Sequence, residues 1–220
     1  MDKSILLFTV LIGLISFSNK TFHPIATENI NLPDKSLDPA ESLNILFVGN
    51  SLTYYNNLPK LVKTEARSKG VEINTTMLAK AGYAIVDHWA EGEVQKLIKS
   101  KTFDFIVIQQ GPSSQQAGYD MLLNDGSKYA RLCQKNSTKL VYFMVWPSIT
   151  YFHTFNGVIE NYTKASKANN AILIPVGEVW KRHIDETNDY SYYGEDGFHP
   201  SQKGSVISAE VIVEYLMNSI

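Results

Sequence analysis

The chain lacks the residues on which several functional classes are built. A single cysteine, Cys133, stands among 220 residues, so no intramolecular disulfide can form, and the clustered Cys and His ligands of a structural zinc site are missing. There is no basic excess: Lys+Arg 20 against Asp+Glu 22 leaves a net charge of −2. That balance cannot neutralise a phosphate backbone, and no nucleic-acid partner is expected. Gly-x-Ser-x-Gly occurs nowhere, which disfavours the nucleophile elbow of the α/β-hydrolases. Internal repeats and low-complexity tracts are absent too. Past the first residues no long apolar run recurs, so neither stable membrane insertion nor a lipase-type lid is expected. What remains is 44% hydrophobic and 19% charged, the balance of one compact domain that lives on its core.

The first 18 residues form the one exception. Lys3 precedes an apolar run from Ile5 to Ile15, and small Ser16 and Ser18 follow with the spacing of a cleavage site. This is the layout of a secretory signal peptide. The run is shorter than the roughly 20 apolar residues that span a bilayer, which weighs against an uncleaved anchor. The protein is therefore expected to be exported, periplasmic or extracellular. Residues 19–42 hold Pro24, Pro33 and Pro39 among polar residues and read as a linker or arm. The folded domain is expected over 43–220. Sequons at Asn74, Asn136 and Asn161 are explained by chance in a chain rich in Asn, Ser and Thr.

Within the domain, short apolar runs alternate with longer amphipathic ones. Strands are expected at 44–48, 71–78, 103–109, 140–146 and 171–174, and helices at 58–69, 85–100, 120–134, 158–167 and 201–218. Alternation of this kind implies βαβ units and a parallel sheet covered on both faces. Chemistry in such sheets collects at the carboxyl ends of the strands.

Two motifs fall there. Gly49-Asn50-Ser51-Leu52-Thr53 follows the first strand and puts a hydroxyl nucleophile at the sheet edge; alone, it would read as a helix cap. Asp196-Gly197-Phe198-His199-Pro200 precedes the last helix. A carboxylate three residues before an imidazole can accept its Nδ1 proton and leave Nε2 free as a general base. The other histidines, His23, His88, His153 and His183, lack that arrangement. His183 with Asp185 has no third ligand of suitable spacing, so no metal site is read there.

Taken together, Gly49-Asn50-Ser51-Leu52-Thr53, Gly82 after the second strand, Gly111 after the third and Asp196-x-x-His199-Pro200 resemble the SGNH (GDSL-like) hydrolase superfamily, in its motif order, over roughly residues 43–218. The end motifs are specific and the middle ones are not. The resemblance implies a flavodoxin-like three-layer αβα sandwich on a five-stranded parallel sheet, and hydrolysis of carboxylic esters without metal or organic cofactor. It assigns Ser51 as nucleophile, His199 as base and Asp196 as the residue that orients the imidazole. The backbone amides of Ser51 and Gly82 would face the oxyanion, and a glycine lets its amide approach substrate closely. One block departs from the family: where Gly-x-Asn-Asp is usual, this chain reads Gly111-Pro112-Ser113-Ser114 after Gln109-Gln110. The third oxyanion donor is therefore Ser113, one of the two glutamines, or missing.

Aromatic residues cluster near these motifs: Tyr54, Tyr55, Tyr83, Trp89, Trp146 and Phe198. In an exported protein they suit sugar stacking, although most aromatics fill cores. The expected substrate is a small-molecule or glycan ester, with Tyr83, Gln110 and Trp146 as binding residues and removal of O-acetyl groups as the reaction. The competing expectation is a catalytically silent carbohydrate-binding or scaffold protein on the same fold.

Overall fold

A computed structural model describes residues 42–220. The expected signal peptide and the expected linker up to residue 41 lie outside the described residues. Five strands, β1 (Leu43–Gly49), β2 (Ile73–Ala79), β3 (Phe105–Ile108), β4 (Lys139–Phe143) and β5 (Ile172–Ile174), form one sheet in the order β2-β1-β3-β4-β5. Every pairing is parallel. This is the flavodoxin-like order, as the sequence implied.

The helices are α1 (Ser51–Tyr54), α2 (Leu58–Ser68), α3 (Ile85–Glu91), α4 (Glu93–Ser100), α5 (Gln116–Lys135), α6 (Phe155–Ala168), α7 (Val176–Thr187) and α8 (Gln202–Met217). Right-handed crossovers decide their faces. The connection from β1 to β2 runs one way along the sheet, whereas those from β2 to β3, β4 and β5 run the other, so α2 lies opposite α3 to α6. Packing agrees: α2 lies against α8, and α5 lies between α3 and α6.

The core follows from composition. Ile45 to Val48 of β1 and Phe105 to Ile108 of β3 are buried as continuous apolar runs, the signature of strands covered on both faces. Each such side chain contributes about 1.5–3 kcal/mol by leaving water. Edge strand β2 is covered less completely: only Ile73 is buried, and Asn74 and Met77 are exposed.

Three expectations need correction. The stretch 85–100 is two helices meeting at Gly92, which is left-handed at φ 76°. The strand expected to reach Trp146 leaves the ladder after Phe143, although Met144, Val145 and Trp146 stay buried. Helix α7, with Val176, Trp180 and Ile184 on its buried side, was not among the expected helices, although His183 and Asp185 read as a solvated helix end.

Register fixes the site. Gly49 ends β1 opposite Ala79 of β2, and Val48 pairs with Ile108 of β3. The chain continuing from each strand emerges at one edge, and the first connection leaves β1 in the opposite direction to those after it. A crevice opens at such a switch point.

Candidate active site

The turn after β1 is built around a buried glutamine. Gln109 Oε1 accepts from the Asn50 amide at 2.9 Å and from Thr53 Oγ1 at 2.8 Å, while its Nε2 donates to the Gln110 carbonyl at 2.7 Å. Gly49 passes so close that a Cβ there would lie 2.3 Å from Thr53 Oγ1 and 2.5 Å from Gln109 Oε1. Asn50 caps α1 by accepting from the Leu52 amide at 3.1 Å, and its Nδ2 donates to the Tyr83 carbonyl at 3.0 Å. One side chain thus ties the serine turn to the loop carrying Gly82. Ser51 opens α1.

Under this turn lies His88, with no exposed surface. Its Nε2 sits 2.7 Å from the Gly49 carbonyl. A carbonyl only accepts, so Nε2 carries the proton. Burial pushes the His88 pKa down, keeping the ring neutral with Nδ1 bare and unpartnered. The sequence marked His88 as an ordinary residue; its role under the turn is structural.

Ser51 and Gly82 both line the space beside the serine hydroxyl. Among the described residues, neither the Ser51 nor the Gly82 amide has a hydrogen-bond partner. Gly82 is left-handed at φ 73°, a conformation glycine adopts without steric cost.

His199, the expected base, comes from a separate loop. His199 Nδ1 donates to Asp196 Oδ2 at 2.6 Å, and Asp196 Oδ1 accepts from the Phe198 and His199 amides, each at 2.9 Å. The bond to His199, helped by those amides, holds the Asp196 carboxyl below its usual range. Ring orientation is fixed further by Tyr55, stacked on His199 with centroids 4.5 Å apart. Asn56 Nδ2 donates to the Pro200 carbonyl at 3.0 Å and to Ser205 Oγ at 2.9 Å. The residues just after Ser51 thereby hold the loop that carries His199. Among the described residues neither Ser51 Oγ nor His199 Nε2 has a hydrogen-bond partner, and catalytic contacts of this kind commonly tighten only with substrate. Nothing in the sequence announced Tyr55 or Asn56 as partners of the base loop.

A cleft of about 400 Å³ gathers Asn50, Ser51, Gly82, Tyr83, Gln110 and Phe198, with the Gly111–Ser113 turn forming one wall. Gln110 Nε2 is spent on Ser113 Oγ at 2.7 Å and the Gly118 carbonyl at 3.2 Å, and Ser113 Oγ donates to the Gly111 carbonyl at 3.0 Å. In this arrangement the hydroxyl does not point a free proton at the cleft. Gln109, a candidate donor by sequence, is spent in the serine turn. Trp146, expected to touch substrate, does not: it is fully buried, stacked on Trp180 at 3.5 Å, and its indole donates to the Phe198 carbonyl at 3.0 Å. Its place is behind the base loop.

No protein-family model matches the sequence, and no curated protein matches it. Solved structures do match. A protein of Slackia heliotrinireducens described as an SGNH hydrolase superposes with a TM-score of 0.67 at 20% identity, over 80% of this chain and 100% of that one. A lipase/acylhydrolase from Enterococcus faecalis gives 0.65 at 16%, covering 80% and 96%. The fold is that of the SGNH hydrolases. A catalytic mutant of an acetylxylan esterase from Geobacillus stearothermophilus shares the SGNH fold with a TM-score of 0.63 at 13% identity, covering 80% and 94%. The serine turn, the Gly82 loop and the base loop all sit at the carboxyl edge of this SGNH sheet.

Proposed function

We propose that the chain is an exported serine esterase that removes short acyl groups, acetyl above all, from acylated carbohydrate. The observation that carries this reading is the 2.6 Å His199–Asp196 pair on a loop that borders the same cleft as Ser51 and its unpaired amide. Ser51 Oγ attacks the ester carbonyl while His199 Nε2 takes its proton, and the Asp196 carboxylate stabilises the imidazolium. The amides of Ser51 and Gly82 receive the oxyanion. Collapse expels the alcohol, which takes the proton back from His199. A water activated by the same nitrogen then releases the acid and restores Ser51. Neighbours of the same fold include esterases of acetylated xylan, which supports the acyl and sugar halves. Export rests on the first 18 residues, and N-terminal sequencing of the protein recovered outside the cytoplasm should begin just after Ser18.

One observation favours a silent binder instead. Ser113 spends its hydroxyl on Gly111, and loss of one oxyanion donor costs about 10²- to 10³-fold in rate. The deciding experiment is hydrolysis of a short acyl ester by the purified protein beside Ser51→Ala, with mass spectrometry after a serine-directed covalent inhibitor. Turnover that disappears in Ser51→Ala, with label on Ser51, is expected. Equal turnover in the variant, or none in the parent, would remove the esterase reading.

A further inference from the structure

A second cavity of about 590 Å³ adjoins the serine cleft and shares Pro112 and Phe198 with it. Its other walls are Ser114 and Gln115 on one side and the turn from Pro147 to Thr154 on the other. That turn is fastened to the base loop. The Ile149 amide donates to the Gly197 carbonyl at 2.9 Å, Tyr193 Oη donates to the Pro147 carbonyl at 2.8 Å, and the Trp146 indole holds the Phe198 carbonyl at 3.0 Å. Whatever occupies the cavity is held in register with His199.

Resting on the esterase reading, we infer that this cavity is the subsite for the alcohol half of the ester, and that its occupant is a neutral sugar ring. Direction comes from the chemistry. The leaving oxygen must take its proton from His199 Nε2, so the alcohol departs on the side of the base loop, and Phe198, the residue before the base, forms the wall common to both spaces. The oxyanion amides of Ser51 and Gly82 occupy the other side. Class comes from the lining. Among the described residues the cavity has no Asp, Glu, Lys or Arg in its walls, and these walls give nothing to hold a phosphate, a carboxylate or an ammonium group. It pairs aromatic faces, Tyr151 and Phe198, with the hydroxyls of Ser114 and Ser148 and the amide of Gln115; the Thr154 hydroxyl in the same wall already donates to the Tyr151 carbonyl at 2.7 Å. Tyr151 is 60% exposed, a large ring that the fold leaves uncovered. An aromatic face meets the C–H side of a pyranose while hydroxyls and amides meet its rim; an alkyl chain would leave those polar groups unpaired. The volume falls within the roughly 300–1,000 Å³ of small-molecule sites.

The experiment uses an O-acetylated methyl xyloside, ethyl acetate and ethyl octanoate. Binding of the acetylated xyloside to Ser51→Ala protein, read by calorimetry, should weaken about 3- to 10-fold when Tyr151→Ala is added, the scale of one aromatic contact. In the otherwise intact protein, the ratio of kcat/KM for the acetylated xyloside to that for ethyl acetate should fall by a similar factor. Thr154→Trp, which fills the cavity, should lower that ratio further. An unchanged ratio and unchanged binding in both variants would overturn the subsite. A selective loss of ethyl octanoate turnover would overturn the sugar assignment in favour of an acyl chain. If the parent protein hydrolyses none of the three yet binds the acetylated xyloside through Tyr151, the esterase reading fails while the sugar site stands.

Discussion

The two halves of the site are held by opposite means. The serine turn is buried and neutral: Gln109 collects two donors, His88 holds the Gly49 carbonyl, and Gly49 leaves no room for a side chain. The loop carrying His199 is partly exposed, and besides neutral bonds from Trp146, Tyr193 and Asn56 it is held by two carboxylates. Asp189, at its start, accepts from the Ser191 amide and hydroxyl at 2.8 Å each, and from Lys203 Nζ and His183 Nε2 at 3.1 Å each. Asp196, near its end, accepts from His199 and two amides. A buried turn holds Ser51 in place, because nothing there can move without leaving a polar group unpaired. A loop held by exposed carboxylates keeps its shape at lower cost and answers to pH and salt.

The contrast breaks most severely at Gln109. Gln109→Leu keeps the volume but strands the Asn50 amide and the Thr53 hydroxyl, both buried, at about 1–3 kcal/mol each. Urea unfolding should show a loss of about 2–5 kcal/mol, and ester turnover should vanish with the turn's geometry. Retained activity at reduced stability would mean that the turn does not depend on this clamp. Gly49→Ala comes next. Its Cβ must push aside two side-chain oxygens that are already hydrogen-bonded to each other, and overpacking of this kind costs about 1–3 kcal/mol. The same urea titration measures it, and the loss should exceed that of Gly194→Ala in the base loop, where the nearest atom to a Cβ is 3.1 Å away.

How far the sequence reached follows the same division. β1 was legible as a short apolar run, and the Gly49-Asn50-Ser51 turn and Asp196-x-x-His199 were legible only together: each alone reads as a helix-capping turn, and the pair in that order is what resembles the SGNH hydrolases. Whatever depends on partners distant in sequence was not. Gln109 was visible only as a polar residue ending an apolar strand, and read as a donor to substrate; the structure makes it an acceptor for a turn 59 residues away. Trp146, at the end of the fourth strand, read as a substrate-binding aromatic, but α7, whose helix was not expected, supplies the Trp180 that stacks on it. Tyr55 and Asn56 lie four and five residues after Ser51, yet their partners are at residues 199 to 205.

His88 gives a third effect, confined to pH. Burial lowers its pKa in the folded protein, while the unfolded chain titrates near the ordinary value of about 6.5. The unfolded state therefore binds the proton first, and the contribution, complete above about pH 6.5, is lost as pH falls below it, with a limiting slope of about 1.4 kcal/mol per pH unit. His88→Gln can still donate to the Gly49 carbonyl and has nothing to titrate. Stability measured by urea between about pH 5 and 7 should fall less steeply for the variant than for the parent. Parallel slopes would show that His88 is not held neutral by its burial.

The smallest effect belongs to Asp189. Bonds from the Ser191 amide and hydroxyl, then from Lys203 and His183, hold its carboxyl far below the usual range. With the folded pKa depressed, the contribution is present above the unfolded value of about 3.9 and disappears as pH falls through the folded one. Asp189→Asn removes the charge and at most preserves part of the turn. Its Tm should lie slightly below the parent's at pH 7, and the gap should close in strong acid, where the parent's carboxylate is protonated too. Raising the salt to about 1 M should narrow the gap at pH 7, because an exposed ion pair is screened at that strength. Gln109→Leu should show neither trend, since no charge is involved in its loss. A gap for Asp189→Asn that stays constant across pH and salt would place the base loop under the same neutral control as the serine turn, and the contrast between the two halves would then fail.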